Sequence, residues 1–162
     1  MNGILSEKSK SLAFTGHRTV PVERQNEIRA RLVKAVSVAC KSGITCFFSG
    51  MAMGFDLMAA ETVFSLKGRY PDIRLIAVVP FRRQNCRWPS IEKERYQKII
   101  SQADRVIVLS EHYFKGCLLR RNDFMLEHSC SLIACYDGKT YGGTFYTCRE
   151  AGKRGMDIVN LY

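Results

Sequence analysis

Residues 49–56 read Ser-Gly-Met-Ala-Met-Gly-Phe-Asp and join a β-type apolar run to a stretch with helical periodicity. The run before them is residues 44–48, and apolar side chains recur at helix spacing over residues 54–66. Small residues let the backbone approach a ligand closely, and a helix start offers free N–H groups and a positive dipole end. The stretch therefore predicts an anion-binding turn at the carboxyl end of a strand. It matches neither the GxGxxG fingerprint nor the GK[ST] ending of a P-loop.

The same alternation of apolar runs and amphipathic stretches extends over the whole chain. Strands are predicted at residues 12–14, 44–48, 73–79, 105–109, 131–136 and 156–161, and helices at 22–41, 54–66, 91–102, 120–129 and 144–153. Continuous apolar strands separated by helices indicate a mainly parallel sheet covered on both faces. We therefore predict a Rossmann-like, three-layer α/β/α fold. Ligands of such sheets bind beyond the carboxyl ends of the strands, near the point where strand order reverses.

Length and composition indicate one globular domain. The chain has 162 residues, of which 46% are hydrophobic and 25% charged, as in typical soluble proteins. Residues 1–10 are predicted to be a flexible N-terminal tail, followed by a single domain over residues 11–162. The tail lacks the apolar core of a signal peptide, and no uncharged stretch approaches the ~18 residues of a membrane span. A cytoplasmic protein without a membrane partner is expected.

The net charge indicates the kind of partner, and the cysteines indicate whether disulfides or a zinc site are expected. A net charge of +10 favours an anionic partner such as a nucleotide or a nucleic acid. The seven cysteines are odd in number and lack CxxC spacing, which indicates reduced thiols rather than disulfides or a zinc cage. No motif requires a metal ion or a cofactor, and neither is predicted.

Two further turns at predicted strand ends carry residues that suit phosphate. Residues 16–18 (Gly-His-Arg) combine a tight turn with a guanidinium, and residues 142–144 (Gly-Gly-Thr) stand at a helix start. Arginines at the start of helix 120–129 oppose the helix dipole, which a bound anion would rationalise. The predicted ligand-binding residues are Gly16, His17, Arg18, Ser49, Gly50, Met51, Ala52, Gly54, Asp56, Arg121, Asn122, Gly142, Gly143 and Thr144.

Each turn also has a purely structural interpretation. Asp56 and Thr144 could cap their helices instead of contacting a ligand, and Arg18 could be an exposed side chain beside a turn glycine. The convergence of three such turns at one edge of the sheet favours a ligand site.

Together these segments resemble the YpsA-type branch of the SLOG superfamily. The resemblance rests on residues 15–18, on residues 49–56 with the Ala-Ala-Glu of 59–61, on residues 121–125, and on 136–138 with the Gly-Gly-Thr of 142–144. It covers about residues 11 to 160 and implies a Rossmann-like fold with a site for nucleotides or nucleotide derivatives such as ADP-ribose. It also implies a homodimer by analogy. Most members of the branch have no assigned activity, so the first interpretation is a nucleotide-binding sensor or regulator.

An N-glycoside hydrolase of nucleoside monophosphates is the first alternative. Lonely Guy-type phosphoribohydrolases carry a PGGxGTxxE motif, of which only Gly143 and Thr144 match the Gly-Thr pair. Thr147 occupies the position of the catalytic glutamate, and a hydroxyl cannot replace that carboxylate. Glu61 and Glu150 are the candidate catalytic residues that could substitute.

Single-stranded nucleic-acid binding is the second alternative. Residues 49–56 also resemble the SGxAxGID-type motif of DNA-processing protein A, which binds single-stranded DNA. The loop at residues 81–89 contains Arg82, Arg83, Arg87 and Trp88, a combination of cations and a stacking aromatic. The structural interpretation of this loop, with Trp88 buried against the following helix, is favoured over it.

Overall fold

Strands and helices alternate without exception along the computed structural model, which describes residues 6–162. The strands are β1 (Ser11–Gly16), β2 (Cys46–Ser49), β3 (Arg74–Val79), β4 (Arg105–Val108), β5 (Ser131–Cys135) and β6 (Asp157–Asn160). The helices are α1 (Gln25–Lys41), α2 (Phe55–Leu66), α3 (Ser90–Gln102), α4 (Cys117–Glu127) and α5 (Gly143–Lys153). All strand pairs are parallel, in the order β4-β3-β2-β1-β5-β6. The Rossmann-like fold is therefore confirmed.

Two hydrophobic cores cover the two faces of the sheet. Neighbouring residues of a strand point to opposite faces, so Phe47 packs into one core and Phe48 into the other. The first core includes Ile28 of α1, and α2 and α3 cover the same face. The second core includes Met125 of α4 and Ala151 of α5. This pattern explains why the strands are apolar at consecutive positions.

The order of the strands reverses at β1. The chain builds β1 to β4 outward in one direction and then crosses to place β5 and β6 on the other side of β1. A crevice forms beyond the carboxyl ends of β1 and β5, since the loops that follow them diverge to opposite faces. No helix within residues 6–162 is both long enough and apolar enough to cross a membrane.

Two predicted helices differ from the observed ones by three residues at their starts, and the other three differ by one residue. Residues 22–24 form a 3-10 turn before α1 begins at Gln25. Helix α4 begins at Cys117, three residues before the predicted start, because Gly116 adopts a left-handed conformation (φ 93°) and no side chain caps the helix. In the predicted tail, Lys8–Lys10 form a 3-10 helix that leads into β1, and residues 1–5 lie outside the described range.

Candidate functional site

A cavity of about 560 Å³ opens at the carboxyl edge of the sheet, and we call it the main cavity. Its size lies within the range of about 300–1,000 Å³ that is usual for ligand sites. Three segments distant in sequence meet there: the turn after β1, the turn before α2 and the start of α5. The predicted residues that line it are Gly16, His17, Arg18, Ala52, Asp56, Arg121, Asn122, Gly143 and Thr144.

Arg121 lines this cavity as a buried cation. Its side chain is only 6% exposed. Nε donates to Oδ1 of Asn122 at 2.7 Å, and Nη1 donates to the carbonyl oxygen of Gly50. Nη2 donates to none of the described residues, and no carboxylate among residues 6–162 forms an ion pair with the guanidinium. Burial lowers the pKa of Arg121, and a buried charge of this kind calls for an anionic partner.

The turn at residues 49–51 holds Arg121 rather than contacting the cavity. A Cβ on Gly50 would lie 2.9 Å from the Arg121 side chain, so the glycine makes room for the guanidinium. Ser49 Oγ accepts from the N–H of Met51 at 3.2 Å and donates to the carbonyl of Asp56 at 3.1 Å. All three residues are buried and none lines the main cavity. In the structure the backbone of this turn approaches a side chain of α4, and its contact with a ligand stays a prediction.

Asp56 contributes a buried carboxyl group to the same cavity. It is 5% exposed, and its Oδ2 accepts from the N–H of Ala52 at 3.2 Å. Oδ1 is buried without a hydrogen-bond partner among the described residues. Burial raises the pKa of Asp56 to about 6, although Arg121 opposes the shift. Asp56 does not cap α2, whose N-cap is Gly54, so its Oδ1 is left as a buried acceptor beside the main cavity.

The turn after β1 is fixed against the start of α2. Gly54 has φ 80°, and a Cβ there would lie 2.3 Å from the carbonyl oxygen of Arg18. The N–H of Phe55 donates to the carbonyl of His17 at 3.1 Å, and a Cβ on Gly16 would meet the Phe55 ring at 2.4 Å. Gly54 thus serves this packing and does not line the main cavity. The contacts place the exposed Arg18 side chain at the mouth of the main cavity.

His17 ties this turn to the end of β5. Its Nε2 accepts from the backbone N–H of Asp137 at 3.2 Å, and the Asp137 carboxylate lies at the same distance. The imidazole therefore bridges the ends of two neighbouring strands, β1 and β5.

Two helix starts face the main cavity without side-chain caps. Helix α5 has Gly142 as its N-cap and Gly143 and Thr144 as its first residues, so Thr144 does not cap the helix. Helix α4 likewise has Gly116 as its N-cap. Uncapped starts leave N–H groups unsatisfied, with the positive ends of both dipoles directed at the cavity. Gly142 itself lines a shallow adjoining cavity with Lys139 and Tyr141.

The two candidate catalytic glutamates lie away from the main cavity. Glu61 forms an ion pair with Arg95 of α3. Glu150 pairs with Lys153 at 3.3 Å and with Arg149 at 3.7 Å on the surface of α5. Neither side chain lines the main cavity, in which the acidic side chain is Asp56.

Two side chains of the 81–89 loop that could contact a nucleic acid contact other residues of the protein instead. Arg82 donates to both oxygens of Glu111 at 2.6 and 2.7 Å. Trp88 packs edge-to-face on Tyr96 of α3, with ring centroids 5.4 Å apart, as the structural interpretation of this loop predicted.

The residues of one wall of the main cavity were not predicted from the sequence. It consists of Tyr113, Lys115, Gly116, Cys117, Leu118 and Leu119, which lead into and begin α4. This segment has neither the alternation of a strand nor a capping residue of the usual kind. Gly116, four residues ahead of the expected helix start at residue 120, was the one signal that could have extended the predicted helix towards this wall.

Comparisons with known proteins agree with this architecture. A family model described as the YspA SLOG family matches residues 12–157. A UPF0398 protein of Bacillus cereus (strain G9842) is 30% identical over 137 residues, covering 83% of this chain and 74% of the relative. A UPF0398 protein of Bacillus velezensis is 27% identical over 154 residues, covering 90% and 85%. The X-ray structure of TM1055 matches 92% of this chain and 72% of its own with a TM-score of 0.55; at 13% identity this shows the fold alone.

Proposed function

This chain belongs to the YspA SLOG family, and we propose that its main cavity binds a nucleotide or nucleotide derivative through a phosphate group, in a sensor or regulatory protein. The observation that carries the proposal is Arg121, a buried guanidinium without a carboxylate partner among the described residues that lines the cavity. A phosphate provides the negative charge and the paired acceptor oxygens that match the N–H donors of a guanidinium group.

The surrounding groups suit a phosphate ester better than a free anion. The uncapped start of α5 and the Arg18 guanidinium add donors and positive charge at the cavity mouth. The unpaired Oδ1 of Asp56 is an acceptor, which repels a phosphate oxygen but accepts from a hydroxyl. A ligand with both a phosphate and a sugar hydroxyl satisfies the two kinds of group together.

Loss of the Arg18 guanidinium tests the phosphate contact. We expect Arg18→Gln to raise the Kd for AMP, ADP, ADP-ribose or NAD, whichever binds, by about tenfold or more, because a charge-assisted hydrogen bond contributes about 1.5–3 kcal/mol. Isothermal titration calorimetry measures the effect. Arg154→Gln is the matched control, since it removes the same charge from an exposed residue outside the main cavity.

Equal weakening in both variants would assign the effect to net charge and contradict a specific role for Arg18. The absence of binding by all four ligands near millimolar concentration would refute the proposed function itself. The homodimer expected by analogy stays a separate prediction, for which sedimentation velocity is the direct measurement.

The Asp56 carboxyl favours N-glycoside hydrolysis as a second candidate function. A buried carboxyl with a pKa raised to about 6 can hold or release a proton near neutral pH, as a general acid or base must. We expect any release of base from AMP, followed by chromatography, to disappear in Asp56→Asn. It should persist in Glu61→Gln and Glu150→Gln, because neither glutamate lines the cavity. No release by the unaltered protein would remove this candidate.

A further inference from the structure

A second cavity of about 450 Å³ adjoins the main cavity. Three aromatic side chains line it, Phe81, Trp88 and Tyr113, so we call it the aromatic compartment. The two cavities adjoin, because they have these lining residues in common: Arg18, Ala52, Tyr113, Leu118 and Arg121. A ligand that occupied both cavities would pass two guanidinium groups, those of Arg18 and Arg121.

The aromatic side chains are held in place by contacts within the protein. Tyr113 packs edge-to-face against Phe81, with ring centroids 5.4 Å apart and an interplanar angle of 82°. Trp88 is anchored in the same manner on Tyr96. Tyr113 is still 65% exposed, so much of its ring is available to a planar group. Rings fixed in this way stack on a ligand at little cost in side-chain entropy.

The loop that carries two of these rings is attached to the main site. The Gln84 amide Nε2 donates to the carbonyl of Met51 at 3.1 Å, and the N–H of Arg82 donates to the carbonyl of Ser110 at 3.0 Å. The first contact joins the 81–89 loop to the turn that holds Arg121. The aromatic compartment and the phosphate donors are therefore parts of one framework.

Resting on the proposed function, we propose that the aromatic compartment holds the planar base of a nucleotide whose phosphate lies in the main cavity. Arg18 and Arg121 line both cavities and lie between the two groups of the ligand. Arg87 adds a third guanidinium to the compartment, and guanidinium planes stack on bases as aromatic rings do. The substrate class is then an intact 5′-nucleotide or a longer derivative, not a sugar phosphate or inorganic phosphate.

Trp88 provides a direct reporter, because it is the one tryptophan of the chain and lines the compartment. AMP and ribose 5-phosphate are titrated into the full chain, with Kd measured by calorimetry and Trp88 emission recorded in parallel. We expect AMP to bind at least about tenfold more tightly than ribose 5-phosphate, as stacking on a base predicts. AMP should change the Trp88 emission and ribose 5-phosphate should not.

Two tyrosine variants separate stacking from general effects. Tyr113→Ala should remove most of the preference for AMP, by weakening AMP binding by a much larger factor than ribose 5-phosphate binding, although Tyr113 also lines the main cavity. Tyr162→Ala, at an exposed tyrosine outside both cavities, should change neither value. Equal binding of the two ligands with constant Trp88 emission would overturn the placement of the base and leave the phosphate site intact. Binding of neither ligand would overturn the placement of the base, and the proposed function would fall with it if ADP, ADP-ribose and NAD also failed to bind.

Discussion

Gly54→Ala will lower the free energy of unfolding by at least about 3 kcal/mol, since two separate costs combine at this position. The first is conformational: Gly54 has φ 80° and ψ −120°, a region that side chains with a Cβ rarely occupy. The second is steric: the added Cβ would lie 2.3 Å from the carbonyl oxygen of Arg18 and 2.6 Å from that of His17. Both obstacles are backbone atoms, which cannot move aside as a flexible side chain can.

Thermal unfolding followed by circular dichroism checks this expectation. For a chain of this length a loss of 3 kcal/mol corresponds to a fall in Tm of about 6–12 °C. Gly68→Ala is the matched control, because a Cβ at Gly68 has no neighbour within 4 Å and its backbone lies outside the left-handed region. A Gly54→Ala protein as stable as the Gly68→Ala protein would show that the turns after β1 and before α2 are not locked together.

The fold and the edge that carries the site follow from local sequence patterns. Apolar runs such as residues 44–48 and the helical spacing of residues 54–66 each depend on burial of one short segment. The observed elements Cys46–Ser49 and Phe55–Leu66 differ from those predictions by one or two residues. Because the strands are parallel, the glycine-containing turns that follow them meet at one edge of the sheet. This placement can be inferred without knowing any side-chain contact.

The roles of individual site residues depend on contacts between distant segments and could not be predicted in that way. Gly50 was expected to approach a ligand, whereas its neighbour is Arg121, 71 positions along the chain. Glu61 was a candidate catalytic residue, whereas in the structure it forms an ion pair with Arg95 of α3. The segment from Tyr113 to Leu119, which forms one wall of the main cavity, has neither strand nor helix periodicity. Patterns within one segment locate an element, but a partner side chain is chosen by packing between elements.

Asp56→Asn will stabilise the protein at pH 8, although it removes a charge opposite a buried arginine. Asparagine resembles the protonated acid, which the buried site prefers: the Asp56 pKa rises from 3.8 to about 6 on folding, with burial as the largest cause. This rise corresponds to about 3 kcal/mol at pH values where the acid is ionised. The Ala52 N–H can still donate to the amide oxygen. We expect a Tm higher by about 6–12 °C at pH 8.

The sign of the pH dependence distinguishes this cause from a general gain in packing. Between pH 3.8 and about 6 the folded protein binds more protons at Asp56 than the unfolded chain does, so its stability falls as the pH rises through this window. The advantage of Asp56→Asn should therefore be full above pH 6 and should vanish as the pH approaches 4. Asp72→Asn, at an exposed aspartate, should show no such advantage. A constant advantage at both pH values would contradict the assignment to Asp56 ionisation.

The same variant connects stability to binding. Burial of the ionised Asp56 carboxylate lowers the free energy of unfolding by about 3 kcal/mol. The same carboxylate has an unpaired Oδ1, which would be a strong acceptor for a ligand hydroxyl. We therefore expect Asp56→Asn to unfold at a higher temperature and to gain less from added nucleotide than the unaltered protein, since ligand stabilisation follows affinity for the folded state. Thermal shifts with increasing AMP at pH 8 measure both effects in one series. An equal gain from AMP in the two proteins would place Asp56 outside the ligand contacts.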